Sequence, residues 1–447
     1  MNIEAHVLAA RTVPRYTSYP TAPRFSSAIG PDTFTAWLAA LPQRATLSLY
    51  IHVPYCEELC YYCGCHTKAV HRRGPIDSYA ARLTDEIALI GASARGRKVV
   101  HIHWGGGTPS ILGSERLHDI CAVLKKMFDF TAVPEHAIEL DPRRMTEPLA
   151  GALASLGINR ANLGVQELSA TVQHAIGRIQ PFDAVTRTVA MLRHVGIDKI
   201  GIDLMYGLPR QTSRDVQRTS ALASSLGPRR LALFGYAHVP WFKTHQRLID
   251  ETALPGPRTR LEQAETARNN LIALGYQPIG IDHFARPDDE LAEAARCKRL
   301  HRNFQGYTTD NADALIGIGA SAISRLPQGF LQNAVDIRSY SQAVQSGRFA
   351  TARGLALSPS DRLRGRIIEH LMCYFHVDLD TVAAEEHVED GLQSELADLQ
   401  PFAAHSMVQI DGRRIVVTEK GRPFLRLVAA VFDSYLRTSG ARHSLAV

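Results

Sequence analysis

The sequence lacks a long hydrophobic run. No stretch of its 447 residues approaches the roughly 18 consecutive apolar residues that a membrane-spanning helix requires. Near the amino terminus the apolar run extends only from Val7 to Ala10, which is too short for a secretory signal. The chain also has no internal repeat and no low-complexity tract. We therefore expect a globular protein without a membrane span, located in the cytoplasm.

Long blocks of lysine and arginine are also missing, although the formal net charge is +6. Proteins that bind nucleic acids usually concentrate such residues on one face, so nucleic acid is not an expected partner. The mild positive excess favours an anionic substrate over a cationic one.

Cysteine is scarce and unevenly placed. Four of the seven cysteines fall between positions 56 and 65, and the other three stand alone. In a cytoplasmic protein, a tight cluster indicates a metal or redox site rather than a framework of disulfides. Cys121 and Cys373 lie in apolar helical segments, and we expect both to be packed thiols.

Six short apolar runs predict buried parallel strands, and helical periodicity between them indicates repeated βα units. Polar and reactive residues stand at or near the carboxyl ends of these runs, where parallel α/β proteins build their active sites. The cysteine cluster follows the first run, and a run of glycines follows the second. The predicted strands are Leu47–Val53, Val99–Trp104, Ala137–Leu140, Ala161–Val165, Ile200–Met205 and Leu231–Phe234.

The segment after Ser358 has a different pattern. Helices are predicted for 360–372, 380–400 and 422–437, and alternating apolar residues around Asp411 and Gly412 predict a β-hairpin. Helices with one hairpin indicate a small winged-helix-like domain. DNA binding is one interpretation of such a domain, and a structural or lid role is the favoured one.

Cys56, Cys60 and Cys63 have the spacing C-x3-C-x2-C. Three thiolates on one short loop can hold three irons of a cubane cluster and leave the fourth iron open for another ligand. Zinc is the alternative, with Cys65 or His66 as the fourth ligand. Zinc loops usually add a second, distant ligand pair, which this sequence lacks, so the spacing favours an iron–sulfur cluster.

This cysteine spacing, with the aromatic Tyr62 before the third cysteine and a glycine run at Gly105–Gly107, resembles the radical S-adenosylmethionine (SAM) superfamily. From about residue 14 to the C-terminal domain, the chain is similar to the oxygen-independent coproporphyrinogen III dehydrogenases (oxidases) of heme biosynthesis. The motifs that carry this similarity are Pro14–Thr21, Cys63–Cys65, Asp203–Pro209, Asp282–Ala285 and His301–Tyr307.

The resemblance implies an α/β fold. Its radical SAM core would be a partial (β/α)6 TIM-type barrel, with an N-terminal extension and a small C-terminal helical, winged-helix-like domain. We expect residues 1–45 to cover the active site and 46–290 to form the barrel. Residues 291–357 would connect the two domains and contribute contacts to substrate and SAM, and 358–447 would form the C-terminal domain.

The same resemblance implies one [4Fe–4S] cluster and two SAM molecules. It assigns the cluster to Cys56, Cys60 and Cys63. Cys65 and Gln305 are candidates for assisting late catalytic steps, and Arg15 and Arg302 are candidates for binding the substrate's propionates. The first SAM would contact Tyr50, Tyr62, Gly106, Glu139 and Ile323, and the second would contact Gly107, Thr108, Gln166, Arg178, Asp203 and Ala237.

The implied activity is the oxidative decarboxylation of two propionates of coproporphyrinogen III to vinyl groups, which gives protoporphyrinogen IX. A 5′-deoxyadenosyl radical formed from SAM would start each step. An electron-donor protein, such as a flavodoxin with its reductase, would supply the electron. The segment from Arg15 to Pro20 is expected to help cover the site. The resemblance leaves the oligomeric state open, with a monomer among the options.

Two other interpretations belong to different functional classes. A related family of heme-trafficking chaperones shares the three cysteines and the barrel, but it typically lacks the fourth cysteine and the segment Arg15–Pro20, both of which are present here. The other interpretation is a zinc-stabilised protein that binds DNA.

Three further features have alternative explanations. His101 and His103 share one strand face, and we expect packing or hydrogen bonding there rather than a metal. Asp203 could be paired with an arginine instead of binding a ligand. Gly317–Ala322 resembles a dinucleotide fingerprint only weakly, and we expect backbone packing beside Ile323.

Overall fold

The computed structural model describes residues 7–131, 133–389, 391–436 and 444–445. Within this part of the chain, a twelve-stranded sheet forms the centre of the molecule. Six of its strands run parallel and in chain order, as repeated βα units require. They are β1 (Leu47–Val53), β2 (Val99–Gly106), β3 (Glu135–Leu140), β4 (Arg160–Gln166), β5 (Lys199–Tyr206) and β6 (Arg230–Gly235). The six predicted strands are confirmed.

The period-2 alternation of β1 explains why the sheet has an apolar face and a functional face. Leu47, Leu49 and Ile51 are fully buried in the main hydrophobic core. The intervening Tyr50 and His52 lie on the opposite face, where both line a cavity. The same strand therefore holds the core together and supplies side chains to the site.

The sheet is open, so the barrel is partial, as predicted. A further strand, Ala314–Ile318, pairs with β1 in parallel, and antiparallel strands continue the sheet on both sides. In the described part of the chain, the two edge strands, Thr351–Ala356 and Gln277–Ile279, are not paired with each other. The antiparallel strands are Gln277–Ile279, His283–Ala285, Ile323–Leu326, Gly329–Asn333 and Thr351–Ala356. Two short ladders lie outside this sheet, formed by Tyr55–Cys56 with Lys68–Ala69 and by His301–Asn303 with Gly306–Thr308.

Amphipathic helices cover the apolar face of the sheet. The helix Arg73–Ala94 buries Ile76, Leu83, Ile87 and Ile90, a helical spacing that presents one apolar stripe to the sheet. The other helices of this region are Pro31–Ala39, Gly113–Met127, Glu147–Ser155, Ala170–Ala175, Phe182–His194, Ser213–Ser225, Pro257–Ala273, Glu290–Arg296 and Ile337–Gln345. Short 3-10 helices span Ala22–Arg24, Pro109–Leu112, Pro142–Arg144, Thr244–Leu248 and Glu251–Ala253.

The C-terminal region has its own hydrophobic core and is winged-helix-like, as predicted. The predicted hairpin is confirmed as Val408–Asp411 and Arg414–Val417, and His376–Asp378 adds a third strand. The α-helices are Pro359–Tyr374, Leu379–Glu386, Gln393–Ala404 and Leu425–Ala430, and a 3-10 helix spans Arg422–Phe424.

Two helix predictions in this region were wrong. The single helix predicted for 380–400 is two helices, because His387 takes a left-handed backbone conformation (φ +54°) that ends the first of them. The last helix, predicted for 422–437, begins as a 3-10 turn and its α-helical part ends at Ala430. Position 437 lies outside the described residues.

Two of the three isolated cysteines are packed, as expected. Cys121 and Cys373 are buried in the main core and in a smaller cluster, respectively. Burial raises the pKa of Cys121 to about 12 and also raises the pKa of Cys373. Neither thiol is therefore ionised near neutral pH.

The N-terminal segment packs on the C-terminal region. Tyr16 and Tyr19 belong to the same hydrophobic core as the C-terminal helices. This core combines residues from several of the predicted segments, so it does not separate one segment from another. The proposed domain boundaries therefore remain predictions. No helix in the described ranges is both long and apolar enough to span a membrane.

Candidate active site

The three cysteines of the spaced motif lie on the loop that follows β1. The Sγ of Cys56 lies 3.3 Å from Thr67 Oγ1 and accepts from Thr108 Oγ1 at 3.5 Å. Nη1 of Arg178 approaches Cys60 Sγ at 3.5 Å. The thiols are thus held by weak contacts to hydroxyl and guanidinium groups, which leaves their sulfur atoms able to bind metal.

The arrangement of these thiols differs from that of a single-ion site. Among the described residues, no three side chains of His, Cys, Asp or Glu are close enough together to hold one metal ion. In a cubane cluster each thiolate binds a different iron, so the ligands need not converge on one point. The spacing of the three thiols is compatible with such a cluster.

The thiol of Cys63 is more acidic than the thiol of Cys65. A hydrogen bond from the Cys65 thiol, helped by Lys243 and Arg178, lowers the pKa of Cys63 to about 7. The same hydrogen bond raises the pKa of Cys65 well above its usual value. Near neutral pH, the Cys63 thiol is partly ionised and the Cys65 thiol stays protonated.

Three side chains from a distant segment hold the cysteine loop in place through hydrogen bonds to its backbone carbonyls. Lys243 Nζ donates to the carbonyl of Cys65 at 2.8 Å, and His245 Nε2 donates to the carbonyl of Cys63 at 2.7 Å. The buried Gln246 donates to the carbonyl of Tyr62 at 2.9 Å and to that of Ala237 at 3.2 Å. None of the three anchoring side chains was predicted, since nothing in their local sequence marks them.

The glycine run is explained by its packing against the cysteine loop. The amides of Gly107 and Thr108 donate to the carbonyls of Val53 and Tyr55, each at 2.8 Å. A Cβ on Gly107 would lie 2.4 Å from the Tyr55 oxygen. Gly106 has a φ of +112°, which also favours glycine. Only glycine therefore allows the end of β2 to lie this close to the loop.

Glu139, on β3, is held as an anion beside Gly106. Its Oε1 lies 3.0 Å from His103 Nε2, and its Oε2 accepts from the Gly106 amide at 3.2 Å. Burial opposes ionisation, but the His103 hydrogen bond and the Gly106 amide lower the pKa of Glu139. Tyr50 stands nearby on β1, with its hydroxyl 3.0 Å from His52 Nδ1.

The two strand histidines are hydrogen-bonded, as expected. His101 Nε2 lies 3.0 Å from Glu135 Oε1, which parallels the contact between His103 and Glu139. The weak dinucleotide fingerprint is also explained by packing, because a Cβ on Gly317 would lie 2.5 Å from the carbonyl oxygen of Ile323.

Asp203, on β5, has no ion pair or hydrogen bond with any described residue. The alternative that an arginine pairs with it is therefore not found in this part of the chain. Burial, together with the charge of Glu139, raises the pKa of Asp203 to about 7. Asp203 is partly buried, and a carboxyl group without a partner whose pKa is raised in this way is typical of groups that bind a ligand.

Arg178 and Gln166 lie at the carboxyl end of β4. Arg178 pairs with Asp141 at 3.2 Å and donates to the carbonyl of Gly164 at 2.5 Å, while its Nε is buried without a hydrogen-bond partner among the described residues. Gln166 has a left-handed φ of +68°, and the pairing of β4 with β5 shifts register there. The regular strand therefore ends at this position. Asp141 was not predicted.

A cavity of about 800 Å³ brings together most of the residues predicted for the first SAM. Tyr50, Gly106, Glu139 and Ile323 line it, whereas Tyr62 lies in the cysteine loop outside it. The two candidate assistants, Cys65 and Gln305, also line this cavity, as does the N-terminal segment Pro14–Ser18. The residues predicted for the second SAM do not line it; these are Gly107, Thr108, Gln166, Arg178, Asp203 and Ala237.

A second cavity of about 540 Å³ shares Arg15, Thr17, Phe304 and Gln305 with the first. Arg302 lines it as well, so the two arginines predicted to bind propionates meet in one place. The two cavities together form a site that runs from the cysteine loop to the C-terminal region.

Comparison with protein-family models gives two matches. Residues 50–223 match the radical SAM superfamily, and residues 357–424 match the HemN C-terminal domain. The first match covers β1 to β5 and the cysteine loop, and the second covers much of the C-terminal region.

Curated relatives match over nearly the whole chain. The oxygen-independent coproporphyrinogen III oxidase of Bradyrhizobium diazoefficiens is 46% identical over 97% of this chain and 97% of its own length. The protein of the same name from Escherichia coli K12 is 39% identical over 95% of this chain and 93% of its own length.

A solved structure of a relative has the same fold. The radical SAM enzyme coproporphyrinogen III oxidase (HemN) from Escherichia coli superimposes with a TM-score of 0.89 and 37% sequence identity. The superposition covers 95% of this chain and 100% of that one.

Proposed function

Because this chain belongs to the family of oxygen-independent coproporphyrinogen III oxidases, which are radical SAM enzymes of heme biosynthesis, we propose the following assignment of its site. The enzyme decarboxylates two propionates of coproporphyrinogen III to vinyl groups and so forms protoporphyrinogen IX. The observation that carries the assignment is that the three-cysteine loop lies next to a cavity lined by Tyr50, Gly106 and Glu139. The chaperone alternative has no support from these relatives.

In this proposal Cys56, Cys60 and Cys63 hold one [4Fe–4S] cluster. The donor chemistry supports it, since three thiols on one loop suit a cubane with one open iron. Arg178 and Lys243 place positive charge beside the thiolates and offset part of their negative charge. When bound, the cluster and SAM supply the one-electron chemistry that removes a hydrogen atom from the substrate.

The first SAM occupies the 800 Å³ cavity, where Tyr50, Gly106, Glu139 and Ile323 contact it, and Tyr62 contacts it from the cysteine loop. Glu139 is the main polar anchor in this assignment. Its carboxylate is already oriented by His103 and the Gly106 amide, and an ionised carboxylate accepts hydrogen bonds from an ammonium or from ribose hydroxyls.

A second SAM molecule is also part of the proposal. It would contact Gly107, Thr108, Gln166, Arg178, Asp203 and Ala237. Asp203 is the strongest support, because its carboxyl group is partly buried, has a raised pKa and lacks a partner among the described residues. A ligand that donates hydrogen bonds to this carboxyl group would offset the free-energy cost of removing it from water.

The chain's own residues enclose the reaction. The segment from Arg15 to Pro20 covers the cavities and excludes water, and Cys65 and Gln305 face the substrate to assist late steps. The remaining assignments concern the surroundings of the enzyme: a flavodoxin-type electron donor, no nucleic acid as partner, a cytoplasmic location and a monomer.

The decisive experiment measures product and cofactor consumption together. The protein is purified and reconstituted anaerobically, and coproporphyrinogen III, SAM and a reducing system are added. We expect protoporphyrinogen IX and about two molecules of 5′-deoxyadenosine per product, one for each decarboxylation. The matched control is Cys60→Ala, which should lose both iron and turnover. A loaded cluster without decarboxylation of the substrate would refute the proposal, and zinc in place of iron and acid-labile sulfide would refute the cluster assignment.

A further inference from the structure

A row of three side chains crosses three antiparallel strands and forms one wall of the 800 Å³ cavity. Ile323 lies directly opposite Gln332 on the neighbouring strand, and Gln332 lies directly opposite Arg353 on the strand after that. Directly opposite residues of adjacent strands lie on the same face of a sheet, and all three of these side chains line the cavity. The row therefore extends this wall from Ile323, which is assigned to the first SAM, to the guanidinium group of Arg353.

The guanidinium group of Arg353 is held by one of its edges. Its Nε donates to Oε1 of Gln332 at 2.8 Å, and Nε2 of Gln332 donates to the carbonyl of Ser321 at 2.9 Å. Gln332 is buried, so these two contacts orient the guanidinium group. The two Nη groups of Arg353 make no hydrogen bond and no ion pair with any described residue. They are therefore available to a ligand in this cavity.

The cavity offers Arg353 no carboxylate partner of its own. Glu139 is the one carboxylate side chain of the lining within the described residues, and both of its oxygens are already engaged in other contacts. Burial and neighbouring positive charges, that of Arg353 among them, lower the pKa of His66 to about 4, and burial also lowers the pKa of His52. Both imidazoles are thus uncharged near neutral pH. The described lining then carries the positive charges of Arg15 and Arg353 against the single negative charge of Glu139.

We propose that Arg353 binds a carboxylate of a ligand in this cavity through its two Nη groups. The inference rests on the proposed function, which brings two carboxylate-bearing ligands here: SAM, with its methionyl carboxylate, and coproporphyrinogen III, with its propionates. A guanidinium group binds either carboxylate by the same pair of charge-assisted hydrogen bonds. The edge strand Thr351–Ala356, which lies outside the radical SAM match at residues 50–223, thereby contributes a binding residue to the site.

The test compares Arg353→Gln with Arg353→Lys in the anaerobically reconstituted enzyme. Two pairs of probes separate the two carboxylates. Coproporphyrin III and its uncharged tetra-amide report on the propionates, and SAM and its decarboxylated form, S-adenosylmethioninamine, report on the methionyl carboxylate. For each pair we measure the ratio of the two dissociation constants, which cancels any general effect of the substitution on the cavity. Iron content reports whether each variant is folded and loaded.

The matched control is Arg348→Gln. Arg348 is exposed, its Nε also donates to a neutral oxygen, Ser346 Oγ at 3.2 Å, and its side chain does not line the cavity. This variant should give the wild-type ratio for both pairs of probes.

For Arg353→Gln we expect the preference for the carboxylate-bearing probe to fall about 10- to 100-fold, with iron content unchanged. A fall in the preference for the tetra-acid assigns Arg353 to a propionate, and a fall in the preference for SAM assigns it to the methionyl carboxylate. Arg353→Lys keeps the charge without the planar fork and should lose less of the same preference.

Unchanged ratios for both pairs in Arg353→Gln would overturn the inference, even if all four probes bound more weakly, while wild-type turnover would leave the proposed function standing. Failure of the wild type to decarboxylate coproporphyrinogen III would instead remove the proposed function, whatever the ratios. If Arg353→Gln does not retain iron, Arg353→Lys decides the matter, because wild-type ratios for both pairs in that variant would count against a bidentate carboxylate contact.

Discussion

The hydroxyl of Tyr16 donates a 3.0 Å hydrogen bond to Oδ2 of Asp433, which joins residues 417 positions apart in the chain. Two neighbouring contacts reinforce it, since Tyr19 Oη lies 3.0 Å from Ser434 Oγ and Arg302 Nε donates to the carbonyl of Tyr16 at 3.2 Å. The N-terminal segment is thereby fixed to the C-terminal region on one side and to Arg302, a candidate for binding propionates, on the other. Tyr16 directly follows Arg15, which is a candidate for binding the substrate's propionates. The contact between Tyr16 and Asp433 is therefore relevant to substrate binding.

Replacing Tyr16 by Phe should therefore impair substrate binding more than folding. The loss of one buried hydrogen bond costs about 1 kcal/mol of unfolding free energy. We expect the KM for coproporphyrinogen III to rise about 3- to 10-fold, because Arg15 is less well positioned. Steady-state kinetics and denaturant unfolding measure the two effects.

The matched control for this variant is Tyr276→Phe. The Tyr276 hydroxyl also makes a buried hydrogen bond, at 2.9 Å to the carbonyl of Pro228, but Tyr276 lines neither cavity. Both variants should lose similar stability, and only Tyr16→Phe should change the KM. Equal kinetics in the two variants would show that the contact has no part in substrate binding.

The sequence predicts that the N-terminal segment covers the site, but it does not reveal how this segment is attached. The motif around Arg15 is recognisable from its residues. The partner, Asp433, is separated from Tyr16 by almost the whole chain, and neither residue belongs to a periodic pattern that would pair them. Contacts of this kind depend on tertiary packing, which the local sequence does not specify.

Asp203 should make the folded protein less stable at alkaline pH. Its pKa is about 7 in the folded chain, above the value near 3.9 of an unfolded aspartate, so the folded state holds the proton more tightly. Stability is therefore lost as the pH rises from about 4 to about 7. In Asp203→Asn this loss is absent, and the gain over wild type should be about 1–2 kcal/mol larger at pH 8 than at pH 5.5.

Chemical denaturation of the cluster-free protein at both pH values measures this difference. The exposed Asp411, at the hairpin turn, provides the control, since Asp411→Asn should give the same small change at pH 5.5 and at pH 8. A pH-independent effect of Asp203→Asn would mean that the carboxyl group is not buried in an unfavourable state.

The anchors of the cysteine loop should determine how well the cluster is retained. Gln246→Leu removes the hydrogen bonds to the carbonyls of Tyr62 and Ala237 and leaves both partly buried acceptors without this donor. We expect iron and sulfide content after reconstitution to fall by about half or more, and the cluster to be lost faster in air.

Gln263→Leu is the control for a general loss of stability. Gln263 is as fully buried as Gln246, and its amide donates to the carbonyl of Gln211 at 2.7 Å, away from the cysteine loop. This variant should lose stability but keep its iron. Equal iron loss in both variants would mean that the effect comes from destabilisation and not from the anchor.

The cysteines and these anchors differ in whether the local sequence predicts them. The ligand spacing is local, and the polar residues after each strand follow a simple βα rhythm, so both could be predicted. Lys243, His245 and Gln246 act through side chains that reach back about 180 positions. The break at His387 was missed for a related reason, because a single left-handed residue interrupts an otherwise helical pattern.

Cys65 lies two positions after the proposed ligand Cys63 and lines the 800 Å³ cavity. Replacing it therefore distinguishes a role as cluster ligand from a role in a late catalytic step. If it assists a late step, Cys65→Ser should keep the iron and sulfide content of the wild type and lower turnover about 10-fold or more. Cys297→Ser, at an exposed position that lines neither cavity, should change neither quantity. Loss of iron in Cys65→Ser would instead make Cys65 a cluster ligand, and full activity with full iron would remove it from the mechanism. Measuring iron, sulfide and protoporphyrinogen IX on the same preparations separates these three outcomes, because each predicts a different combination of cluster content and turnover.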